Sequence, residues 1–343
     1  MNTRSIRGRV FALVTALVCL SGAPAIAGEP VSTEKLTLRV GYPPVSPLWG
    51  FAVIHQEKLW KKYLPNVEVE VFASLTGMAL VNNLIAGKTD IAYFADTPAI
   101  ILASKADLMP TRLIAADVAD HGGSAIVYVA KDSPIKSVRD LDGKRVSVPF
   151  GGYSHRFAEV LAAREGIEFK LVGQSPEVGL TNLRSGKVDA YIPWPPFGPL
   201  AVKNGFAREL LDGTKYNFDV FRGVVVSQSF ADKHPAVVIG WLRAQLDAQK
   251  IMRERPDYAA KLIHKEWESY GIPLDVIREG FAYEKFPEGI TPEWRNVLIE
   301  SAKFLKNHGF IKESVDVNRF IDDSYLEKAA AIPSQLDLPA LSR

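Results

Sequence analysis

The chain has 343 residues, one cysteine and a formal net charge of +2 from 41 basic and 39 acidic residues. That balance leaves no polybasic footprint for nucleic acid. The length allows one or two domains.

Residues 1–27 read as a secretion signal. Arg4, Arg7 and Arg9 make a basic start, Phe11 to Leu20 is apolar, and Ala25-Ile26-Ala27 is an A-x-A cleavage site. The apolar stretch is too short for a permanent membrane anchor. Leu17-Val18 precede Cys19, whereas an acylated cysteine follows small residues. A mature chain starting near Gly28 contains no cysteine and must be held together by its core. A secreted chain of this size without disulfides suits the bacterial periplasm. Losing the three arginines takes the formal charge from +2 to about −1. No later apolar run reaches membrane-spanning length.

Leu36–Gly41 alternates and predicts a strand, and Tyr42–Gly50, with three prolines, a loop. Phe51–Tyr63 has helical spacing, Val67, Val69 and Val71 mark a second strand, and Gly77–Ala86 a helix. A strand over Asp90–Phe94 follows, then a helix capped by Thr97 with Pro98 in its first turn. This rhythm predicts a largely parallel sheet. The pattern resets at His121-Gly122-Gly123. Strands are expected at Ala125–Ala130, Val146–Val148, Phe169–Val172 and Val224–Val226, with helices over Ser154–Glu165 and Val178–Arg184. From Ser229 the chain turns helical, with Thr291-Pro292 starting one helix and Gly309 ending it. The tail beyond Ala329 is expected to fray.

One segment occurs twice. Asn83-Leu84-Ile85-Ala86-Gly87-Lys88-Thr89-Asp90 returns as Asn182-Leu183-Arg184-Ser185-Gly186-Lys187-Val188-Asp189. Each copy reads as a helix end, a glycine cap and a strand start. The fold expected is therefore α/β, with two lobes joined by a hinge and a ligand cleft between. Residues 36–120 plus 222–328 would form one lobe, 124–219 the other, and 329–343 the tail. Hinge closure on a ligand is the behaviour of such molecules.

The leading site candidate is Pro149-Phe150-Gly151-Gly152-Tyr153-Ser154-His155-Arg156, where a strand end, two glycines and a helix start can hold an anion. Within it Gly152, Tyr153, Ser154 and His155 are the candidate ligand residues, Ser154 and His155 as donors. Thr76 and Gly77 repeat the device. Asp96 and Thr97 sit at another helix start, and Asp96 could pair with an amino group. Trp49, in the Pro/Gly loop, and Trp194, before Pro195-Pro196, supply aromatic walls. No metal-ligand spacing among the histidines, no nucleophile elbow and no phosphate loop occur, so neither an enzyme nor a cofactor is expected.

In order along the chain, Val40-Gly41-Tyr42, Leu84-x-x-Gly87-x-x-Asp90-Ile91, Asp96-Thr97-Pro98, Lys131-Asp132-Ser133-Pro134-Ile135, Asp140-Leu141-x-Gly143-Lys144-x-Val146, Val188-Asp189-Ala190 and Phe230-Ala231-x-x-His234-Pro235 stand together. This set resembles the solute-binding proteins of ABC importers for sulfonates, taurine and nitrate. The resemblance implies a periplasmic monomer with an oxyanion pocket, delivering a small organic anion, foremost taurine or another alkanesulfonate, to an inner-membrane permease. The family's Ser/Thr-His pair falls on Ser154-His155. Trp194-Pro195-Pro196 stands where sulfonate-binding members often carry Trp-Asp-Pro, and Tyr153 is large where the family is often small. An aromatic carboxylate or pyrimidine ligand, or a sensing role, is the alternative.

Overall fold

The first sheet explains why the chain must leave and return. In a computed structural model that describes residues 29–342, it is built from β1 (Leu36–Tyr42), β2 (Val67–Ala73), β3 (Ile91–Ala95), β4 (Thr111–Asp120) and, a hundred residues on, β10 (Val220–Ser227). Their order is β2-β1-β3-β10-β4. The intervening residues make a second sheet from β5 (Ile126–Ala130), β6 (Arg145–Val148), β7 (Lys170–Gly173), β8 (Ala190–Tyr191) and β9 (Ala207–Asp212), ordered β7-β6-β8-β5-β9. The signal read over residues 1–27 lies outside the described residues.

Both sheets are mixed rather than largely parallel. β1 runs parallel to β2 and β3, and β6 parallel to β7 and β8. One strand in each runs against its neighbours, β10 in the first and β5 in the second. Each is the first strand made after the chain crosses between the sheets. Asp120 pairs with Val220 and Asp212 with Ile126, so both crossings join the same ends of the sheets. A strand that starts at that end has to run backwards.

The helices are α1 (Trp49–Glu57), α2 (Gly77–Ile85), α3 (Asp96–Ala103), α4 (Tyr153–Glu165), α5 (Pro176–Arg184), α6 (Phe197–Lys203), α7 (Gln228–Lys233), α8 (Pro235–Glu254), α9 (Pro256–Glu266), α10 (Leu274–Gly280), α11 (Pro292–Asn307), α12 (Val317–Phe320) and α13 (Ser324–Ala330). Strand alternation sorts them into layers. Ile91 and Tyr93 face a core with α1, α8 and α9, while Ala92 and Phe94 face one with α2, α3 and α11. Val127 and Val129 pack towards α4, and Ile126 and Tyr128 towards α5 and α6. Each sheet with its helices forms a lobe. Among the described residues no helix is long and apolar enough to cross a membrane.

The sequence repeat is one clip built twice. Arg39 on β1 donates its backbone N and Nε to Asp90 Oδ2 at 2.9 and 3.0 Å, and a terminal nitrogen to the Gly87 carbonyl at 2.6 Å. Arg145 on β6 donates to Asp189 Oδ2 at 2.9 and 3.0 Å and to the Gly186 carbonyl at 2.8 Å. Gly87 and Gly186 both lie at positive φ, 65° and 68°, where only glycine is unstrained. Each clip locks a helix end to the start of a central strand.

Three local readings need correction. Trp49 opens α1 rather than lying in the preceding loop. The helix start is set from a distance, because the Gly50 amide donates to Asp117 Oδ1 of β4 at 3.1 Å. Thr97 is not a cap: α3 begins two residues earlier than expected, at Asp96, with extended Ala95 at its N-cap, and Thr97 is buried in its first turn. The tail past Ala329 is tied down. Ser334 donates to Asp247 Oδ1 (2.6 Å), the Gln335 amide donates to the Tyr63 hydroxyl (2.8 Å), and Leu336, Leu338 and Leu341 pack on the first lobe's core.

Candidate ligand-binding cleft

The cleft is the seam between the lobes, and the N-terminus of α4 lies in it. The loop before α4 turns through Gly151 at φ 76°, where a Cβ would also meet the Phe310 ring at 3.3 Å. Gly152 is the N-cap and supplies no side-chain acceptor. The first amides of a helix have no partner within it and carry the positive end of its dipole. Ser154, the second residue of α4, is fully buried, and its Oγ has no hydrogen-bond partner among the described residues.

Arg156, on the same turn, reaches across the seam. Its NH2 group donates to Asp96 Oδ2 on the first lobe at 3.2 Å and to the Asp219 carbonyl at 3.1 Å, with the guanidinium 4.3 Å over the Phe218 ring. Asp96 Oδ2 also accepts from Ser301 of α11. Arg156 Nε and Asp96 Oδ1 are buried and unpartnered. Two of these three orphaned atoms belong to one interlobe ion pair, and the other, Ser154 Oγ, lies on the same helical turn as Arg156. Leaving such atoms without partners costs about 1–3 kcal/mol each. Two are donors or potential donors beside a helix N-terminus, an arrangement suited to an anion's oxygens. The third is a carboxylate oxygen, which accepts.

Deeper at the hinge lies a second buried network. Arg222 of β10 donates to Asp120 Oδ2 (3.4 Å), Glu284 Oε2 (3.1 Å) and Ser124 Oγ (3.0 Å). Asp120 in turn accepts from the Gly122 and Ser124 amides, so it fixes the first crossing. Burial opposes the charge on Arg222, but Glu284 and Asp120 outweigh it and hold its pKa above the usual arginine value. Burial pushes Glu284 well above the usual carboxyl range, against the pull of Arg222. This arginine is spent on internal carboxylates and is not free for a ligand. Buried Asp117 rises to about 7.

Beside this network a small cavity of about 10 Å³, room for about one water, separates Trp49, Trp267, Ile277 and Tyr283 from Pro195-Pro196 of the other lobe. Trp49 Nε1 is buried without a partner there. A larger hollow of about 460 Å³ lies away from the seam, around Arg39, Asp90 and His234. Its arginine is already clipped to Asp90.

The other expected site residues fall unevenly around the seam. Tyr153 is buried beneath it, its hydroxyl 3.5 Å from the Ser124 carbonyl and its ring 5.8 Å from the Arg222 guanidinium. His155 is differently employed. Its ring stacks on Phe150 at 4.7 Å and meets the edges of Phe304, His308 and Phe310 from the first lobe. Its Nδ1 accepts from the Gly151 amide at 3.4 Å, and burial lowers its pKa. It is a neutral ring in an aromatic interlobe contact. Thr76 is an exposed cap that accepts from the Ala79 amide, and a Cβ on Gly77 would meet Pro98 at 3.0 Å, so this pair stays on the first lobe's rim. Trp194 is half-buried and packs on its own lobe's core, leaving its proline neighbours to line the cavity.

Comparison with known proteins adds to this geometry. The sequence model of the NMT1-like family matches residues 32–264. The chain belongs to that family. A protein of Escherichia coli K12 provisionally named an aliphatic sulfonates-binding protein is 26% identical over 313 residues, covering 89% of this chain and 95% of its own. The taurine-binding periplasmic protein of the same organism is 25% identical, covering 74% and 82%. The crystal structure of the periplasmic aliphatic sulphonate binding protein from Escherichia coli superposes with a TM-score of 0.73 at 22% identity, covering 88% of this chain and 94% of that one. That likeness establishes the two-lobed fold of this NMT1-like protein.

Sequence reasoning missed Arg156 as a site residue although it closes the chosen segment. It also passed over Ser301, Arg222 and Glu284. A signal existed for Arg222, a charge between apolar residues in Phe221-Arg222-Gly223-Val224. Ser301 and Glu284 carried none, because their partners come from elements far away in sequence.

Proposed function

We propose that this NMT1-like protein is the periplasmic substrate-binding component of an ABC importer. Its ligand is a small organic anion, with taurine or another alkanesulfonate first. In this reading the lobes, residues 36–120 with 222–328 and residues 124–219, close on the ligand as a monomer that an inner-membrane permease then engages. No catalytic step is assigned. The relatives named for sulfonates and taurine support the ligand class. The observation that carries the reading here is the buried, unpartnered hydroxyl of Ser154 at the α4 N-terminus, on the lobe-facing turn that also holds Arg156. An oxyanion would satisfy Ser154 Oγ, Arg156 Nε and the first amides of α4 together. The free Asp96 Oδ1 offers an acceptor for an ammonium group, as on taurine.

The aromatic side chains of Trp49, Trp267 and Tyr283, which face Pro195-Pro196 across a gap that opens only when the lobes part, favour an aromatic carboxylate as the second reading. A thermal-shift panel of taurine, alkanesulfonates, nitrate, aromatic carboxylates and pyrimidines on the ligand-stripped mature protein separates the two. A ligand at a hundred times its dissociation constant stabilises by about 2.7 kcal/mol. A shift with taurine or an alkanesulfonate is expected. Silence with every sulfonate, beside a shift from an aromatic acid, overturns the sulfonate assignment.

A further inference from the structure

We propose that His121, Asp219 and Glu293 form a divalent-metal site at the hinge, with a donor set suited to zinc. The three residues come from separate stretches. His121 follows β4 in the first crossing, Asp219 precedes β10 in the second, and Glu293 lies in the first turn of α11. One ligand atom from each lies within 4.8 Å of the other two. His121 Nδ1 is 3.0 Å from Asp219 Oδ1 and 3.6 Å from Glu293 Oε1. Four ligands held tetrahedrally at zinc bond lengths sit about 3.3 Å from one another. The two histidine–carboxylate separations straddle that edge, and the carboxylate–carboxylate separation lies within 4.8 Å.

The electrostatics point the same way. Among the described residues, neither Asp219 nor Glu293 makes an ion pair with any lysine or arginine; His121 is the only basic side chain that meets either. The guanidinium of Arg156 is nearby but bonds the Asp219 carbonyl, not its carboxylate. The same His121 Nδ1 faces both carboxylates and carries at most one proton, so it can donate to only one of them. A dication would satisfy all three. The His121 ring is oriented by stacking on Trp294, centroids 5.2 Å apart, next to Glu293 in sequence. His121 and Glu293 are half exposed, so water can take the fourth position, as in open zinc sites. The ion would tie both crossings to α11, across the segments that must twist when the lobes part.

The test is zinc titration by calorimetry of the mature protein after EDTA treatment, without sulfonate, and of the variants His121→Ala and Glu293→Gln. Cobalt(II) absorption serves as a second readout of tetrahedral nitrogen–oxygen ligation. One zinc per chain is expected, with affinity falling about tenfold or more in each variant and the cobalt bands lost in His121→Ala. Both side chains are half exposed, so metal-free melting temperatures should match wild type; Asp219→Asn replaces any variant that melts early. Absence of micromolar zinc binding, or binding unchanged by both substitutions, overturns the site.

Discussion

Replacing Arg156 with methionine removes the only charged partner that Asp96 has among the described residues, while keeping most of the side chain's length. The Asp96 side chain is 0% exposed and that of Arg156 9%, so water does not fill in while the lobes stay together. Breaking a buried pair by removing one partner costs about 3–5 kcal/mol. The pair joins α3 to α4 across the seam, so this cost falls on the closed arrangement and is relieved when the lobes part and Asp96 meets water. A penalty of about 3 kcal/mol disfavours closure more than a hundredfold. If ligand is held only between closed lobes, apparent affinity drops by the same factor. Calorimetry measures the affinity, and small-angle scattering of the ligand-free protein should show a larger radius of gyration. The double variant Arg156→Met with Asp96→Asn removes both charges and should regain most of the lost closure. Wild-type affinity and an unchanged radius in Arg156→Met would refute the latch. Failure of the double variant to recover the wild-type radius would also count against it; its affinity stays low in either case, because Arg156 Nε and Asp96 Oδ1 are both assigned to the ligand.

Further outcomes follow from the same geometry. Ser154→Ala should weaken ligand binding by about 1–3 kcal/mol, since a buried anion loses a donor; calorimetry showing unchanged affinity removes Ser154 from the site. His155 is held below its ordinary pKa of 6.5 by burial and by His308, with Glu159 pulling the other way. Above that value both the packed and the exposed ring are neutral. Below it the exposed ring takes a proton that the packed one resists, so the interlobe contact weakens as pH falls. The melting temperature should therefore drop more between about pH 7.5 and pH 5 in wild type than in His155→Gln, and equal drops would sink the argument. Asp90→Ala should cost about 2 kcal/mol in urea unfolding and Asp189→Ala about half that, because the Asp90 side chain is 7% exposed and that of Asp189 29%. The reverse order would mean that burial does not set the strength of the two clips.

The repeat was legible because its parts are local: a glycine needing positive φ, a helix end and an aspartate at fixed spacing. Even so, the partners Arg39 and Arg145 that give the aspartates their purpose lie 51 and 44 residues upstream. β4 went unread. Thr111-Arg112-Leu113-Ile114-Ala115-Ala116-Asp117-Val118-Ala119-Asp120 is buried almost throughout. It therefore shows neither the alternation of a half-exposed strand nor the spacing of a helix. In the cleft, the α4 turn was visible from Gly151-Gly152 and Ser154. What faces it was not, since Ser301 and Phe304 of α11, and Phe310 just beyond that helix, arrive some 150 residues later. His155 illustrates the limit: a histidine beside a serine reads as a donor, until three rings from the other lobe surround it.

The position of β10 has a consequence for how the chain comes together. It lies between β3 and β4, both made long before it. Until residues 220–227 emerge, the first sheet is split, with two unpaired edges facing each other. The second sheet is built from one unbroken stretch and needs nothing from either terminus. Synthesis delivers the chain from its N-terminus, so the body begun second is the first that can be completed. The body begun first has to wait, its central gap open, for a strand that comes only after its neighbour is whole.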